Sequence, residues 1–464
     1  MKRLIRFVVC LLCSALALSC RIQESEIDPE LSEDIKLRAT SIEACQCTYV
    51  VPERTHVIDG AVLQIKPGDR ICLSASNTYK NLLFKNIVGT TELPVIITNC
   101  GGTALLNATG LSFGLKTQNS KHFRITGGSS AYVYGIKVEG GHIGIALGDL
   151  STNFEVDHVE VANSGFAGIM AKTDPSCDPA TSRENFTMKN INLNYNYVHD
   201  CGGEGFYVGN SFFEAGVKTE CGTRYPHEIH YLRLFSNIVK NTGWDGIQVG
   251  CATVGTKIYG NVIENYGTSN TYNQRNGMQL GEGTGGLCYG NFINGGAGNG
   301  MNVLGIGTNV IHNNVIVDAG EMGIFCDDRY TPGPGFTFLN NTIVNPAIDG
   351  IRLYAEKVVM NHVINNIIVN PGNFAKYVYP RVADDAFVYK LSKDLPVEIR
   401  NNFFTTSIVD VGFVDPTAHN FRLTLTSPII DKGADISSYA IGTDFYKKSR
   451  LRGAAYDIGA AEVQ

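Results

Sequence analysis

The chain has 464 residues, of which 44% are hydrophobic and 18% charged, a balance that excludes a disordered protein. The formal net charge of −6 argues against a nucleic-acid binder that works through a basic surface. Glycine is abundant at 51 residues, and Asn recurs in pairs at Asn313-Asn314, Asn340-Asn341, Asn365-Asn366 and Asn401-Asn402. Both residues form helices poorly, so a helical bundle is excluded and an all-β chain with frequent turns is expected.

At the start, Lys2, Arg3 and Arg6 precede an apolar run from Phe7 to Leu18 that ends at Ser19 and Cys20. A charged start, an apolar middle and a small residue at the cut predict a secretory signal over 1–19. The run is too short for a comfortable membrane span. Leu16-Ala17-Leu18-Ser19-Cys20 resembles a bacterial lipobox, departing from it at Ala17, where the common pattern has Leu. The resemblance implies lipidation at Cys20 and an outer-membrane lipoprotein, with plain secretion as the alternative. Residues 20–44, acidic from Glu24 to Asp34, are read as the lipidated Cys and a flexible tether. A short acidic run after the Cys is similar to the surface-export mark of lipoproteins in glycan-foraging Gram-negative bacteria.

The first coils of the fold are read at Val62-Leu63-Gln64-Ile65, a strand followed by the turn Lys66-Pro67-Gly68-Asp69, at Pro94 to Gly102, and at Phe123 to Gly127. From about residue 155 the chain repeats itself. With Gly205, Gly246, Gly277, Gly300, Gly323 and Gly350 as zero points, the next residues are Phe206, Ile247, Met278, Met301, Ile324 and Ile351. Two positions further on stand Val208, Val249, Leu280, Val303, Cys326 and Leu353. Between them lie Tyr207, Gln248, Gln279, Asn302, Phe325 and Arg352, which are mostly polar or amphipathic. This alternation predicts strands with one buried face.

A second register follows. Asn237, Asn261, Asn291, Asn314, Asn341, Asn366 and Asn402 recur at spacings of 24, 30, 23, 27, 25 and 36. Three residues before each stand Leu234, Ile258, Cys288, Ile311, Phe338, Val363 and Ile399, expected to point inward. Asn tolerates the left-handed backbone region, and its amide can bond the Asn one coil above. Stacked coils, each winding once around an apolar core, satisfy this irregular period.

Asn-Asn-Val-Ile-Val at 313–317, Asn-Asn-Thr-Ile-Val at 340–344 and Asn-Asn-Ile-Ile-Val at 365–369, with the Gly-centred strands, resemble the right-handed parallel β-helix of the pectin-lyase-like superfamily. The expected organisation is one such solenoid over 45–410 and a C-terminal capping segment over 411–464. Asn420 to Leu423, Ser427 to Gly433 and Tyr456 to Ala460 resemble closing segments of such proteins, which keep strand edges from being exposed.

Of thirteen Cys, Cys10 and Cys13 fall in the signal, Cys20 is the lipid site, and Cys288 and Cys326 fall at inward positions. Export makes disulfides possible. Cys177 and Cys221 lie in neighbouring long inserts with Cys201 close by, so one bridge among the three is expected, with its pairing open. No second Cys/His pair completes a zinc site around Cys45 and Cys47. His227-Glu228-Ile229-His230 only superficially resembles a metal motif.

Equivalent positions on coils about 4.8 Å apart form ladders. Glu204 and Asp245 stand one coil apart, so they either share a proton or bind a cation, and Ca²⁺ is the candidate. Glu282 and Asp328 stand two coils apart, near the upper end of the separation used by inverting glycosidases. Asp327-Asp328 is similar to the paired aspartates of pectin-hydrolysing β-helix enzymes, but that family's His-Gly and Arg-x-Lys motifs do not stand nearby. Asp327, Asp328, Glu282 and Arg329 are therefore the catalytic candidates. Trp244, Tyr207, Gln248, Arg275, Gln279, Asn302, Arg352 and Tyr354 are the candidates for contacting sugar. A lyase would draw its base and its carboxylate partner from Arg275, Arg329, Arg352 and Tyr354.

Exposed carboxylates at turns more often cap backbone or stay solvated, and a polar strand face is often just wet. Two classes remain: a hydrolase or lyase acting on extracellular polysaccharide, or a non-catalytic glycan-binding or structural surface protein. Either is expected to be a monomer.

Overall fold

The computed structural model describes residues 45–128, 133–328 and 333–463. The signal, Cys20 and the tether lie outside them, as does Arg329. The described strands form three long parallel sheets of 13, 12 and 12 strands, joined in a repeating order. Sheet I runs from Tyr49–Val51 to Val397–Arg400, sheet II from Val57–Asp59 to Val388–Lys390, and sheet III from Thr78–Tyr79 to Phe403–Thr405. Each turn of the chain contributes one strand to each sheet, which is the parallel β-helix. The core is a continuous column of Ile, Val, Leu and Phe, from Val51 to Leu395.

The Gly-centred repeat is the register of sheet II. Phe206, Ile247, Met278, Met301, Ile324 and Ile351 pair in sequence and end on Val388. Each zero-point Gly is required by close approach: a Cβ on Gly246 would meet Ile263 Cγ2 at 2.5 Å and the Gly277 carbonyl at 2.6 Å.

The Asn pairs divide two tasks. The second residue of each turn forms the ladder, buried from Asn237 to Asn366 and half-buried at Asn402: Asn237 Nδ2 donates to Asn261 Oδ1 at 3.0 Å, Asn261 to Asn291 at 3.0 Å, Asn291 to Asn314 at 2.9 Å, and so on to Asn402. Left-handed backbone, expected at these same residues, falls instead on the first Asn: Asn313, Asn340, Asn365 and Asn401 have φ of 54°, 51°, 58° and 50°. Gly260 and Gly290 fill that place in other coils, at φ 63° and 61°. The turn needs an unhindered residue first and an amide second.

Inward-pointing positions behave as expected from Leu234 to Val363, but Ile399 is 40% exposed. It stands on the last rung of sheet I, where no further coil covers it. The expected strand at Val62–Ile65 is a turn instead. Leu63 N bonds Asp59 O at 2.9 Å and Ile65 N bonds Gly60 O at 2.9 Å. Val62 consequently faces solvent.

Cys45 is bonded to Cys100 and Cys47 to Cys72, so the first coil is stapled to the next two. The third bridge, Cys177–Cys221, joins the two long inserts. Cys201, Cys251, Cys288 and Cys326 are buried thiols.

The segment after 410 lies along the outer flank of sheet III. Phe292, Val315, Val317, Val344, Ile367 and Val369 point outward there, and Val411, Phe413, Phe421, Leu423, Ile429 and Ile458 cover them. That apolar flank needs cover, which explains why the tail runs along the coils. The tail is pinned by Arg450, which is 1% exposed, bonds Glu462 Oε2 at 3.2 Å and donates to the Gly459 carbonyl at 2.6 Å.

Candidate functional site

The outer face of sheet II carries one continuous stripe. Tyr207, Gln248, Gln279, Asn302, Phe325, Arg352 and Tyr389 pair rung to rung. The inserts 172–186 and 209–227 rise at one edge, tied by Cys177–Cys221 and by the bridge between Ser182 and Pro226. Residues 266–275 rise at the other edge, where Arg275 pairs with Glu321 at 2.7 Å. The second insert roofs the stripe: Ser211 Oγ lies 3.1 Å from the Tyr207 hydroxyl and accepts from Gln248 Nε2 at 2.8 Å. Tyr207, Gln248 and Gln279 are therefore buried, whereas Asn302, Phe325 and Arg352 are half-exposed. The stripe was expected to be amphipathic; the roof covers its first half, termed the pit.

Glu204 and Asp245 sit at the edge of that pit, on adjacent coils: Gly205 N bonds the Asp245 carbonyl at 3.1 Å. They are 2% and 0% exposed. Asp245 Oδ1 accepts from the backbone N–H of Asn276 at 2.7 Å and from its side chain at 3.0 Å. Among the described residues, Glu204 Oε2 and Asp245 Oδ2 have no hydrogen-bond partner, and neither have Gln248 Oε1 and Asn302 Oδ1. Burial pushes the Glu204 carboxyl up to about 7, against the pull of its own backbone and Lys172. Burial pushes Asp245 up to about 8, against the Asn276 backbone bond, with Glu204 adding to the rise. Both carboxyls thus titrate near neutral pH, well above the ordinary carboxylate range.

Lys172 completes the pit. Its Nζ lies 4.5 Å from the centre of the Tyr207 ring and 2.8 Å from Asp174 Oδ1. Burial opposes its charge, yet Tyr207, Asp174 and Glu204 outweigh it and hold the ammonium above its usual range. Asn210 also donates to Asp174 Oδ1, at 3.1 Å. Lys172, Asp174 and Ser211 were missed in the sequence. Counting four residues on from Gly168 would have placed Lys172 at this edge; Asp174 and Ser211 lie in inserts whose folding the repeat does not encode.

The other candidates disperse. Asp328 is buried, and its Oδ2 accepts the backbone N–H of Lys357, a capping role. Glu282 Oε2 accepts from Glu214 N at 3.3 Å, tying the insert down. Asp327 lies one strand end beyond Phe325, its N–H bonded to Val303 O at 3.0 Å. Glu282 and Asp328 are two coils apart, as expected. Trp244 packs edge-on to Phe166, ring centres 5.5 Å apart, and Phe166 stacks on His142 at 5.4 Å, giving a half-exposed aromatic shelf beside Glu204. Arg352 pairs with Asp349, which also accepts from Tyr377 at 2.8 Å. Tyr354 meets Phe325 at 5.2 Å. His227 Nε2 accepts from Thr173 N at 3.0 Å, and His230 bonds Glu228 at 2.8 Å, so the two histidines have separate partners.

The donor-less oxygens of Glu204, Asp245 and Gln248 are of the kind Ca²⁺ takes, but that ion collects about six to eight. No cluster of three or more His, Cys, Asp or Glu able to hold a metal is found among the described residues. The set does not fit a calcium site on its own.

The model of a family described as "Right handed beta helix region" matches residues 229–404. Among solved structures, the chain is similar to the pectate lyase Pel9A, at 15% identity and a TM-score of 0.46, over 89% of this chain and 98% of that one. It is similar to an alginate lyase from Paenibacillus sp., at 15% identity and 0.35, over 78% and 99%. A third is the GH136 lacto-N-biosidase from Eubacterium ramulus, at 11% identity and 0.44, over 74% and 63%. The comparison with curated proteins finds no match. With three parallel sheets in continuous register and the family match across its central coils, the chain is a right-handed parallel β-helix protein.

Proposed function

We propose that the protein is a polysaccharide-cleaving enzyme of the hydrolase type, with Glu204 and Asp245 as its acid–base pair. The observation that carries this is the pair itself: two adjacent buried carboxyls, each with one oxygen lacking a donor among the described residues, and both raised to titrate near neutral pH, so that one can hold a proton while the other is ionised. Keeping them there costs stability at neutral pH, a cost that active sites characteristically bear. Protonation of a glycosidic oxygen needs a carboxyl that still holds its proton at working pH. The two residues stand on adjacent coils, whose backbones are about 4.8 Å apart, a spacing that brings carboxyls within range of the separation of about 5–5.5 Å used by retaining glycosidases. Lys172 remains charged beside Glu204 and steadies whichever carboxylate forms.

A lyase reading is less well supported. It needs a free base and a free cation for a uronate carboxylate. Lys172 is held protonated by Asp174, and Arg275 and Arg352 are paired with Glu321 and Asp349. Asp327 and Glu282 remain candidates for contacting substrate, since both border the stripe.

Three disulfides fit folding in an oxidising compartment, in keeping with export; anchoring through Cys20 at the outer membrane and action as a monomer belong to this reading.

The test is release of reducing ends from a polysaccharide panel by the wild type, Glu204→Gln and Asp245→Asn, with and without a chelator, while absorbance reports unsaturated uronate. Expected are new ends without absorbance, indifference to chelation, a rate that falls as pH rises through about 7–8, and loss of about two orders of magnitude in either variant. Full activity in both variants refutes the assignment. Unsaturated product would make the protein a lyase.

A further inference from the structure

The stripe does not end at the pit. From Tyr207 to Tyr389 it runs over seven rungs separated by six coil spacings, about 29 Å in all. Its last rungs are aromatic: Phe325 and Tyr354 at 5.2 Å, Tyr354 and Tyr389 at 6.3 Å, and Tyr377 and Tyr389 at 6.0 Å between ring centres. All four rings are half-exposed, in contrast to the covered rungs beneath Ser211.

We infer that this cluster is a second sugar-contact patch, which holds an uncharged polysaccharide by its ring faces while the chain runs along the stripe towards Glu204 and Asp245. The inference rests on the glycan reading above. The occupant follows from the chemistry on view. Arg352 lies 4.6 Å and Arg381 4.0 Å from the centre of the Tyr389 ring. Arg352 is neutralised by Asp349, and Arg381 donates to the Lys390 carbonyl at 2.9 Å and the Tyr389 hydroxyl at 2.8 Å. These bonds fix the rings and hold both guanidinium groups against the protein, Arg352 on a carboxylate and Arg381 on neutral oxygens and the Tyr389 ring. What faces outward is aromatic surface with hydroxyls at its rim, suited to a pyranose face and its hydroxyl edge. The two ends of the stripe therefore address a polymer that extends across at least several rungs, and a short fragment cannot reach both.

The experiment uses the exported chain carrying Glu204→Gln, run through affinity gels of galactomannan, xylan, pectate and alginate. Expected is retention by a neutral gel, weakened about three- to tenfold by Tyr354→Ala or Phe325→Ala and kept by Tyr354→Phe, with unchanged melting. In the Glu204 background, the same ring losses should raise KM for polymer with kcat intact, and leave KM for a two- or three-sugar fragment alone. Retention by pectate or alginate only, or wild-type retention in Tyr354→Ala and Phe325→Ala, overturns the inference. Ring-dependent retention without any cleavage keeps the patch and removes the catalytic reading. A chain that neither binds nor cuts any of the four refutes both.

Discussion

Asn261 Oδ1 accepts two hydrogen bonds from Asn237, at 3.1 Å from its backbone N–H and at 3.0 Å from its side-chain amide. Asn261 Nδ2 meanwhile reaches the Leu234 carbonyl at 3.0 Å. Both residues are fully buried. Asn261→Ala therefore strands two donors and a carbonyl in the core. A loss of about 2–4 kcal/mol is expected, read as a lower urea midpoint. In a stack where each coil contacts only its neighbours, that loss should make central coils open before the ends, which hydrogen exchange resolves.

The carboxyl pair should show in stability as well as in rate. Glu204 and Asp245 titrate well above their ordinary range in the folded chain. Between the unfolded value near 4 and the folded values, the native state binds more protons than the unfolded one. Stability therefore declines as pH rises through that window. The urea midpoint should be higher at pH 5 than at pH 8.5, and Asp245→Asn should flatten the slope. Glu462, raised by burial to about 7, titrates in the same direction, so some slope should survive. A midpoint that rises with pH would contradict the protonated pair.

Arg450 holds the tail through Glu462, Asn313 and the Gly459 carbonyl. Arg450→Ala leaves a buried carboxyl without its cation, a change that costs about 3–5 kcal/mol. The covered flank of sheet III should then open. Increased binding of a hydrophobic dye, with the far-ultraviolet β spectrum retained, is the expected result. An unchanged dye signal would mean that the apolar contacts of Phe421 and Ile458 suffice.

The Cys177–Cys221 bridge ties the inserts that roof Tyr207 and Gln248. Replacing both Cys with Ser should change glycan kinetics more than thermal stability, because the coils themselves carry the core. Equal losses in both would show that the inserts are part of the cooperative unit.

How much of this was legible in the sequence depended on the range of the forces involved. Phe206, Ile247 and Met278 announce their register because each coil repeats the same burial, and the Asn ladder is visible because each rung needs the same amide. The division of labour within Asn313-Asn314 was not legible, since both members are compatible with a left-handed turn. Glu204 and Asp245 could be placed on adjacent coils, but the burial that raises both carboxyls, opposed at Glu204 by Lys172, is not encoded in the repeat. Asp328 read as catalytic because it stands two coils from Glu282 and beside Asp327; its bond to the Lys357 backbone belongs to a loop that the repeat does not determine.

The staples at the start of the solenoid have a mechanical consequence. A pull on the chain at Cys45 does not begin by peeling the strand Tyr49–Val51. Through Cys45–Cys100 and Cys47–Cys72, the load passes at once into the strands Val95–Cys100 and Arg70–Ser74 of sheet I. Several parallel ladders then bear it in shear, so the end nearest any tether is the end least able to unzip.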